Sequence, residues 1–211
     1  MSSGSIRKSR KILFLDRDDT IIKDFGYLND PDQVVLLEGL IPALKLFRDQ
    51  GFEFIVTTNQ SGLTRGSVQI ENLKLIHDKI QFQLNQNGIR ILNFYSAPYL
   101  HNHMRRKPNP GLTLNAMSDF NVNIKNSIFA GDKWRDLDVG YKLGGKTILV
   151  NALDDQKSLF TEFKPDLVLE NWSDIKEDVL TTLLIKNSTN IGQNNSFSKI
   201  NISSKDGFKN N

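Results

Sequence analysis

An apolar run, Ile12-Leu13-Phe14-Leu15, ends directly in two aspartates one residue apart, Asp16 and Asp18, with Thr20 just beyond. Short β-branched and aromatic runs read as buried strands. In open α/β sheets ligand chemistry collects at the carboxyl ends of such strands. Two carboxylates at i and i+2 past a strand end can therefore both face the crevice. One can attack phosphorus while the other handles protons, and a hard cation such as Mg²⁺ can screen their repulsion. An acidic turn would use the same residues, since Asp is common in turns. What the other strand ends carry decides between the two.

Strand and helix patterns alternate along the chain. A polar segment, Asp24 to Asp32, follows the first strand, and apolar Ile41, Leu44 and Phe47 place a helix over Leu40–Gln50, stopped by Gly51. Phe52–Thr58 reads as a second strand. Ile70, Leu73, Ile76, Ile80 and Leu84 recur at spacings of three or four within Gln69–Asn87, and Gly88 caps that helix. Strands follow at Ile91–Ala97, Ser127–Ala130, Lys146–Val150 and Pro165–Leu169, and helices at Gly111–Phe120, Trp134–Leu143 and Ser173–Ile185. This alternation predicts an α/β fold, a doubly wound parallel sheet with helices on both faces.

The chain has 211 residues, no cysteine, and no apolar run near the roughly 20 residues that span a bilayer. The first ten residues hold no apolar segment of signal-peptide length. Without cysteine there is no disulfide or thiolate metal site, which fits a reducing cytoplasm. The net charge is +3, but it is terminal. Residues 186–211 carry four Lys against one Asp, and Arg7, Lys8, Arg10 and Lys11 crowd the start, which leaves residues 12–185 at net −4. That core has no phosphate-backbone footprint, so neither nucleic acid nor membrane is an expected partner. Three segments are expected: a flexible basic N-terminus over 1–10, one domain over 11–185, and a disordered Asn/Ser-rich tail over 186–211.

Three further strand ends carry chemistry. The second strand runs into Thr57-Thr58-Asn59-Gln60-Ser61-Gly62, where a hydroxyl, an amide and open backbone suit a phosphate oxygen. After the third strand, Arg105-Arg106-Lys107-Pro108 leads into Asn109-Pro110-Gly111. Lys107 can neutralise a transferring phosphoryl group, and a neighbouring Arg can fork onto a second phosphate. The fourth strand ends in Gly131-Asp132-Lys133, with Asp136 and Asp138 beyond. A third acidic residue at a third strand end would complete an oxygen-rich Mg²⁺ site. Asp136 can alternatively cap or shield the helix that follows.

In this order the motifs resemble the haloacid dehalogenase superfamily of phosphohydrolases, over about residues 11–185. They look most like its heptose-bisphosphatase and histidinol-phosphatase branch. Phe14-Leu15-Asp16-Arg17-Asp18-Asp19-Thr20 matches the nucleophile motif. Thr58-Asn59-Gln60-Ser61-Gly62-Leu63-Thr64-Arg65-Gly66 matches the second, Arg106-Lys107-Pro108-Asn109-Pro110-Gly111 the third, and Gly131-Asp132-Lys133 with Asp136 the fourth. Gly26-Tyr27 and Leu37-Glu38-Gly39 look like the flap and the approach to the first helix.

The resemblance implies an uncapped Rossmann-like fold in which Asp16 is the nucleophile that becomes an aspartyl-phosphate. Asp18 would be the general acid and then the base, with Thr58 and Lys107 stabilising the phosphoryl group. Asp16, the backbone carbonyl of Asp18, and Asp132 would hold Mg²⁺. Asp24, Phe25, Gly26, Tyr27, Asn59, Gln60, Ser61, Arg106 and Lys133 would meet the substrate. Two departures stand out. Asp19 replaces the family's usual Gly, and its side chain is expected to point away from the metal. Many relatives hold zinc on a Cys-X-His and Cys-X-Cys loop; here those positions are Ala97, Tyr99, His103 and Arg105, and nearby His101 does not restore the set. No zinc is expected.

Three functions fit the sequence. The first is a monomeric phosphatase releasing the C7 phosphate of a heptose 1,7-bisphosphate in nucleotide-heptose biosynthesis. The second is a phosphatase for histidinol phosphate or another small metabolite. The third is a weakened phospho-sugar-binding relative, for which Asp19 is the suspicious feature.

Overall fold

A computed structural model describes residues 9–151 and 164–185. The expectations for residues 1–8 and 186–211 lie outside them. Six strands form one sheet: β1 (Lys11–Leu15), β2 (Phe52–Asn59), β3 (Ile91–Ala97), β4 (Ile128–Gly131), β5 (Lys146–Val150) and β6 (Leu167–Leu169). All pairings are parallel, in the order β3-β2-β1-β4-β5-β6. The helices are α1 (Leu40–Asp49), α2 (Gly62–Arg65), α3 (Ile70–Asn85), α4 (Gly111–Asp119), α5 (Trp134–Leu143) and α6 (Glu177–Ile185).

Successive side chains of a strand point to opposite faces, and β1 feeds both layers of the core. Leu13 and Leu15 join Phe54 and Val56 under Leu44 and Phe47 of α1, Ile76 and Ile80 of α3, and Leu180 and Leu183 of α6. Ile12 and Phe14 join Ile55 and Phe129 under Ala116 of α4 and Val139 of α5. The rings of Phe14 and Phe129 stack across the β1–β4 pair, with centroids 4.7 Å apart. The near-continuous apolar strands follow from burial on both faces.

The stretch between β1 and α1 contains one 3₁₀ turn, Pro31–Gln33, and isolated bridges from Ile22 to Asp18 and Leu36. Among the described residues no separate cap covers the strand ends. No helix among them is long and apolar enough to cross a membrane.

Two elements differ from the sequence pattern, each for a local reason. Pairing of β6 begins at Leu167 rather than Pro165. Asp166 reaches β5 with its side chain instead: Oδ2 accepts from Thr147 N at 2.8 Å, and Asp166 N donates to Thr147 Oγ1 at 3.2 Å. The single helix expected over Ser173–Ile185 is a 3₁₀ turn, Trp172–Asp174, followed by α6. Asn171 and Asp174 close that turn as a reciprocal capping box. Trp172 then lies buried with Nε1 donating to Thr20 O at 2.6 Å, so the chain turns here in order to dock.

Packing of α5 on β4 depends on Gly140. A Cβ there would lie 2.6 Å from Phe129 Cδ2, against a ring already held by Phe14. Gly140→Ala gains about 1 kcal/mol of helix propensity, whereas overpacking costs about 1–3 kcal/mol. The variant is expected to be less stable than wild type, read as a lower denaturant midpoint at unchanged m-value.

Candidate active site

The sheet's strand order reverses at β1 and β4, and the crevice outside their carboxyl ends is where an open α/β sheet binds ligands. Asp16 leaves β1 with its N–H donating to Ala130 O at 3.0 Å, which fixes it beside the end of β4. Asp132 follows β4, and Asp136 lies in the first turn of α5. Gly131 makes that approach possible: a Cβ there would sit 2.4 Å from Asp136 Cβ. Carboxylate oxygens of Asp16, Asp132 and Asp136 consequently come within 4.8 Å of one another.

Lys107 enters this cluster from the loop after β3. Its side chain is 4% exposed, and its ammonium pairs with Asp16 Oδ1 at 2.6 Å and Asp136 Oδ1 at 2.7 Å and donates to Thr57 O at 2.5 Å. Asn59 holds the lysine backbone at two points, accepting from Lys107 N and donating to Lys107 O, both at 3.0 Å. The sequence suggested Asn59 as a lining residue; its amide also clamps the loop that carries Lys107.

Electrostatics follow from crowding like charges out of water. Burial raises the Asp132 pKa to about 7, with Asp16 and Asp136 adding to the rise and Lys133 opposing it. Burial also raises Asp136, which Lys107 partly offsets. For Lys107 burial disfavours the charge, but Asp136 and Asp16 prevail and lift its pKa. Two oxygens of the cluster, Asp132 Oδ1 and Asp136 Oδ1, are buried without a hydrogen-bond partner among the described residues, the second meeting only the charge of Lys107. Hard oxygen donors around an unsatisfied carboxylate suit a hard divalent cation. Asp136 therefore both caps α5, accepting from Lys133 N at 3.2 Å, and adds a carboxylate to the candidate metal cluster. The sequence left that residue between two readings.

Asp18 faces the same cleft but is held separately. Arg17 Nε and Nη2 donate to its two oxygens at 2.9 and 3.0 Å, and Gln60 Nε2 donates to Oδ2 at 2.9 Å. Burial raises the Asp18 pKa, Arg17 lowers it, and Asp16 raises it further, with a net upward shift. That suits a group which must carry a proton before giving it up. Gln60 Nε2 also donates to Thr58 Oγ1 at 2.9 Å, leaving the threonine hydroxyl free to donate.

The cleft, about 140 Å³, is lined by Asp16, Asp18, Asp24, Gly26, Tyr27, Thr58, Asn59, Gln60, Ser61, Gly62, Lys133 and Arg135. Most of the residues singled out in the sequence converge here, with Lys107 and Asp132 directly behind the lining residues Asp16 and Lys133. A larger depression, about 1170 Å³, lies at the opposite end of the sheet. Its charges are already paired, Arg10 with Glu53 and Lys11 with Gln50 O.

Two expected substrate residues sit further out. Phe25 is exposed, with Lys23 Nζ 5.4 Å from its ring centre. Arg106 Nη1 donates to Tyr99 O at 2.7 Å at the cleft's edge. Burial lowers the Arg106 pKa, as do the charges of Arg135 and Arg65. Arg135 was not singled out in the sequence; its place directly after Asp132-Lys133-Trp134 was the available signal.

Asp19 adopts φ 52°, a left-handed backbone that asparagine, aspartate and glycine tolerate best. Its Oδ1 accepts from Asp24 N at 2.9 Å, so the side chain closes the flap turn and stays outside the carboxylate cluster. On the loop after β3, the rings of Tyr99 and His103 stack with centroids 3.4 Å apart. His103 Nδ1 accepts from Arg105 N, and Asn109 Nδ2 donates to His103 O. Stacking and hydrogen bonds hold this loop.

A parallel sheet in this order, with an acidic cluster and a buried lysine at its switch point, defines the haloacid dehalogenase class of phosphohydrolases. A family model described as polynucleotide kinase 3 phosphatase matches residues 11–138, and one described as HAD-hydrolase-like matches residues 104–175. The D-glycero-D-manno-heptose-1,7-bisphosphate 7-phosphatase of Chlorobaculum tepidum is 31% identical over 181 residues, covering 78% of this chain and 91% of that protein. The D-glycero-beta-D-manno-heptose-1,7-bisphosphate 7-phosphatase of Haemophilus ducreyi is 30% identical over 175 residues, covering 79% and 96%. The crystal structure of D,D-heptose 1,7-bisphosphate phosphatase from B. bronchiseptica, complexed with magnesium and phosphate, superposes with TM-score 0.71 at 28% identity. It covers 82% of this chain and 99% of that one. The chain belongs to the haloacid dehalogenase-like phosphatases, which are phosphoric monoester hydrolases, in the branch of the heptose bisphosphatases.

Because Asp19 already has a left-handed backbone and points away from the cluster, Asp19→Gly is expected to keep turnover within about 3-fold of wild type. It should lose no more than the single hydrogen bond to Asp24 N, about 1 kcal/mol. Asp19→Val, β-branched at positive φ, should lower stability by more, in a parallel denaturant titration.

Proposed function

We propose that the chain removes the C7 phosphate of D-glycero-D-manno-heptose 1,7-bisphosphate through an aspartyl-phosphate on Asp16. The observation that carries this reading is the carboxylate of Asp16 set between Lys107 and the Asp132–Asp136 pair, with Asp18 facing the same cleft. Relatives named for this activity support the substrate.

In this reading an Asp16 oxygen attacks phosphorus and the bond to the sugar oxygen breaks. Asp18 gives its proton to the departing alkoxide. Water then attacks the aspartyl-phosphate, and Asp18 takes a proton from it. The ammonium of Lys107 donates to Asp16 Oδ1 and Thr57 O and is ion-paired with Asp136 Oδ1. Stabilising a phosphoryl oxygen therefore means exchanging one of those contacts. Thr58 presents its free hydroxyl to the same group. Mg²⁺, held by Asp16, Asp132 and the Asp18 carbonyl with Asp136 adjacent, would neutralise charge on the transferring phosphoryl group. Asp24, Gly26, Tyr27, Ser61 and Lys133 line the sugar's path, and Arg106 takes the phosphate that is not cleaved. The enzyme is proposed to act as a cytoplasmic monomer in nucleotide-heptose synthesis.

A phosphate-release assay over a panel of phosphate esters, with and without Mg²⁺, tests the whole reading. The heptose bisphosphate should give the highest kcat/KM, and chelation should abolish turnover; preference for histidinol phosphate would reassign the substrate. Asp16→Asn is nearly isosteric and is expected to lose essentially all turnover while retaining phosphate binding. Wild-type turnover in that variant would end the covalent mechanism.

Arg106→Ala should lower kcat/KM for the heptose bisphosphate by roughly 10²-fold, the loss of a charge-assisted pair of about 1.5–3 kcal/mol. A monoester lacking the second phosphate should change little. Lys107→Ala should depress both reactions. Equal losses on both substrates for Arg106→Ala would assign that guanidinium to the reacting phosphate.

A further inference from the structure

We propose that Tyr99 and His103 are positioning residues for Arg106: the stack of their rings sets where that guanidinium points, and so how strongly the site prefers a bisphosphate over a monoester. The inference rests on the reading of Arg106 as the group that meets the spared phosphate. Arg106 and Lys107 are neighbours in sequence but are held by different partners. Asn59 grips the Lys107 peptide at N and O, and the lysine ammonium is buried against Asp16, Asp136 and Thr57 O. Arg106 is only half-buried, and its guanidinium donates through Nη1 to the carbonyl of Tyr99 at 2.7 Å.

The loop decides where that carbonyl lies. Its first residues are tied to the loop after β2 and to α2, with Ala97 O accepting from Gln60 N at 2.7 Å and Pro98 O from the Thr64 hydroxyl. The Tyr99 ring then lies on that of His103, centroids 3.4 Å apart and planes 16° from parallel. His103 O accepts from Arg106 N at 2.8 Å, and His103 Nδ1 from Arg105 N at 3.1 Å. These contacts close on themselves: His103 holds the Arg106 peptide, Tyr99 holds the tip of its side chain, and the stack fixes one against the other. The fixing has something to oppose. Burial, and then the charges of Arg135 and Arg65, work against the Arg106 cation, so an untethered guanidinium would swing away into water. A long flexible stem also loses rotamer freedom on binding, and one already fixed loses less.

An uncleaved phosphate keeps its contact in the ground state and the transition state alike, so the effect belongs in KM rather than kcat. The test compares the heptose 1,7-bisphosphate with heptose 7-phosphate, which presents the same cleaved group and lacks the other. From the strength of an aromatic pair, His103→Ala should raise KM for the bisphosphate by roughly 5–10-fold. Its kcat, and both constants for the 7-phosphate, should stay within about 2-fold of wild type. His103→Phe keeps a ring and loses Nδ1, and should return KM to within about 2-fold of wild type. In an Arg106→Ala background His103→Ala should add nothing, because it acts only through that guanidinium. A general disturbance of the loop would reach Lys107 and slow both substrates, or would add to Arg106→Ala. Either result overturns the proposal, as does a His103→Phe variant no better than His103→Ala. Tyr99→Leu removes the other ring and decides the matter if His103→Ala fails to fold, as judged by circular dichroism. If Arg106→Ala loses the bisphosphate selectively and the ring variants do not, only the positioning role is wrong. If Arg106→Ala slows both substrates equally, Arg106 does not hold the spared phosphate and the inference falls with that reading.

Discussion

One buried ammonium holds the catalytic end of this molecule together. Lys107 sits between Asp16, at the end of β1, and Asp136, in the first turn of α5. Without a cation, three carboxylates within a few ångströms of one another would repel and lose their hydration together. The lysine meets part of that cost, and its hydrogen bond to Thr57 O ties the arrangement to β2 as well. Removing one partner of such a buried pair leaves an uncompensated charge, which is far more damaging than losing a surface ion pair. Asp132 Oδ1 and Asp136 Oδ1 are left without a hydrogen-bond partner among the described residues, and a divalent ion would meet that need.

Much of the remaining architecture keeps that ammonium in place. Asn59 grips the peptide of Lys107 from the end of β2. Gly131 leaves the space that Asp136 occupies, and α5 packs close enough to deliver it because Gly140 meets the Phe129 ring. On the other face Trp172 reaches across from the C-terminal segment to the carbonyl of Thr20, bracing the turn that follows Asp16 and Asp18. Strand ends and hydrogen-bonded loops thus fix these side chains, as holding charges at fixed distances requires.

Charge is arranged in two layers. Carboxylates with Lys107 and Lys133 form the floor, while Arg135 and Arg106 stand around the rim, with Arg65 close enough to lower the Arg106 pKa further. Net charge gave no hint of this, because residues 12–185 are net negative. In the proposed reading, a local cationic rim would draw an anionic substrate toward an acidic floor. Asp19 follows the same economy of placement: a carboxylate close in sequence to the nucleophile is spent on a backbone N–H of the flap.

The alternation of strand and helix, the strand ends bearing Asp16, Thr58 and Asp132, and the loop after β3 bearing Lys107 were legible in the sequence. Both signals are local: side-chain periodicity marks which residues are buried, and polar residues just past an apolar run mark where a strand stops. Element ends at Asp166 and Trp172 were not legible, since each depends on a bond to a distant partner, Thr147 or Thr20. The same limit applies within the site. Sequence supplied the residue types, but it could not say that Asp136 turns inward beneath Gly131, that Asn59 clamps a loop 48 residues away, or that Arg17 folds onto its neighbour. Those outcomes depend on how close β1 and β4 lie at their carboxyl ends. That spacing is set by hydrogen bonds between strands more than a hundred residues apart, and only the folded chain contains them.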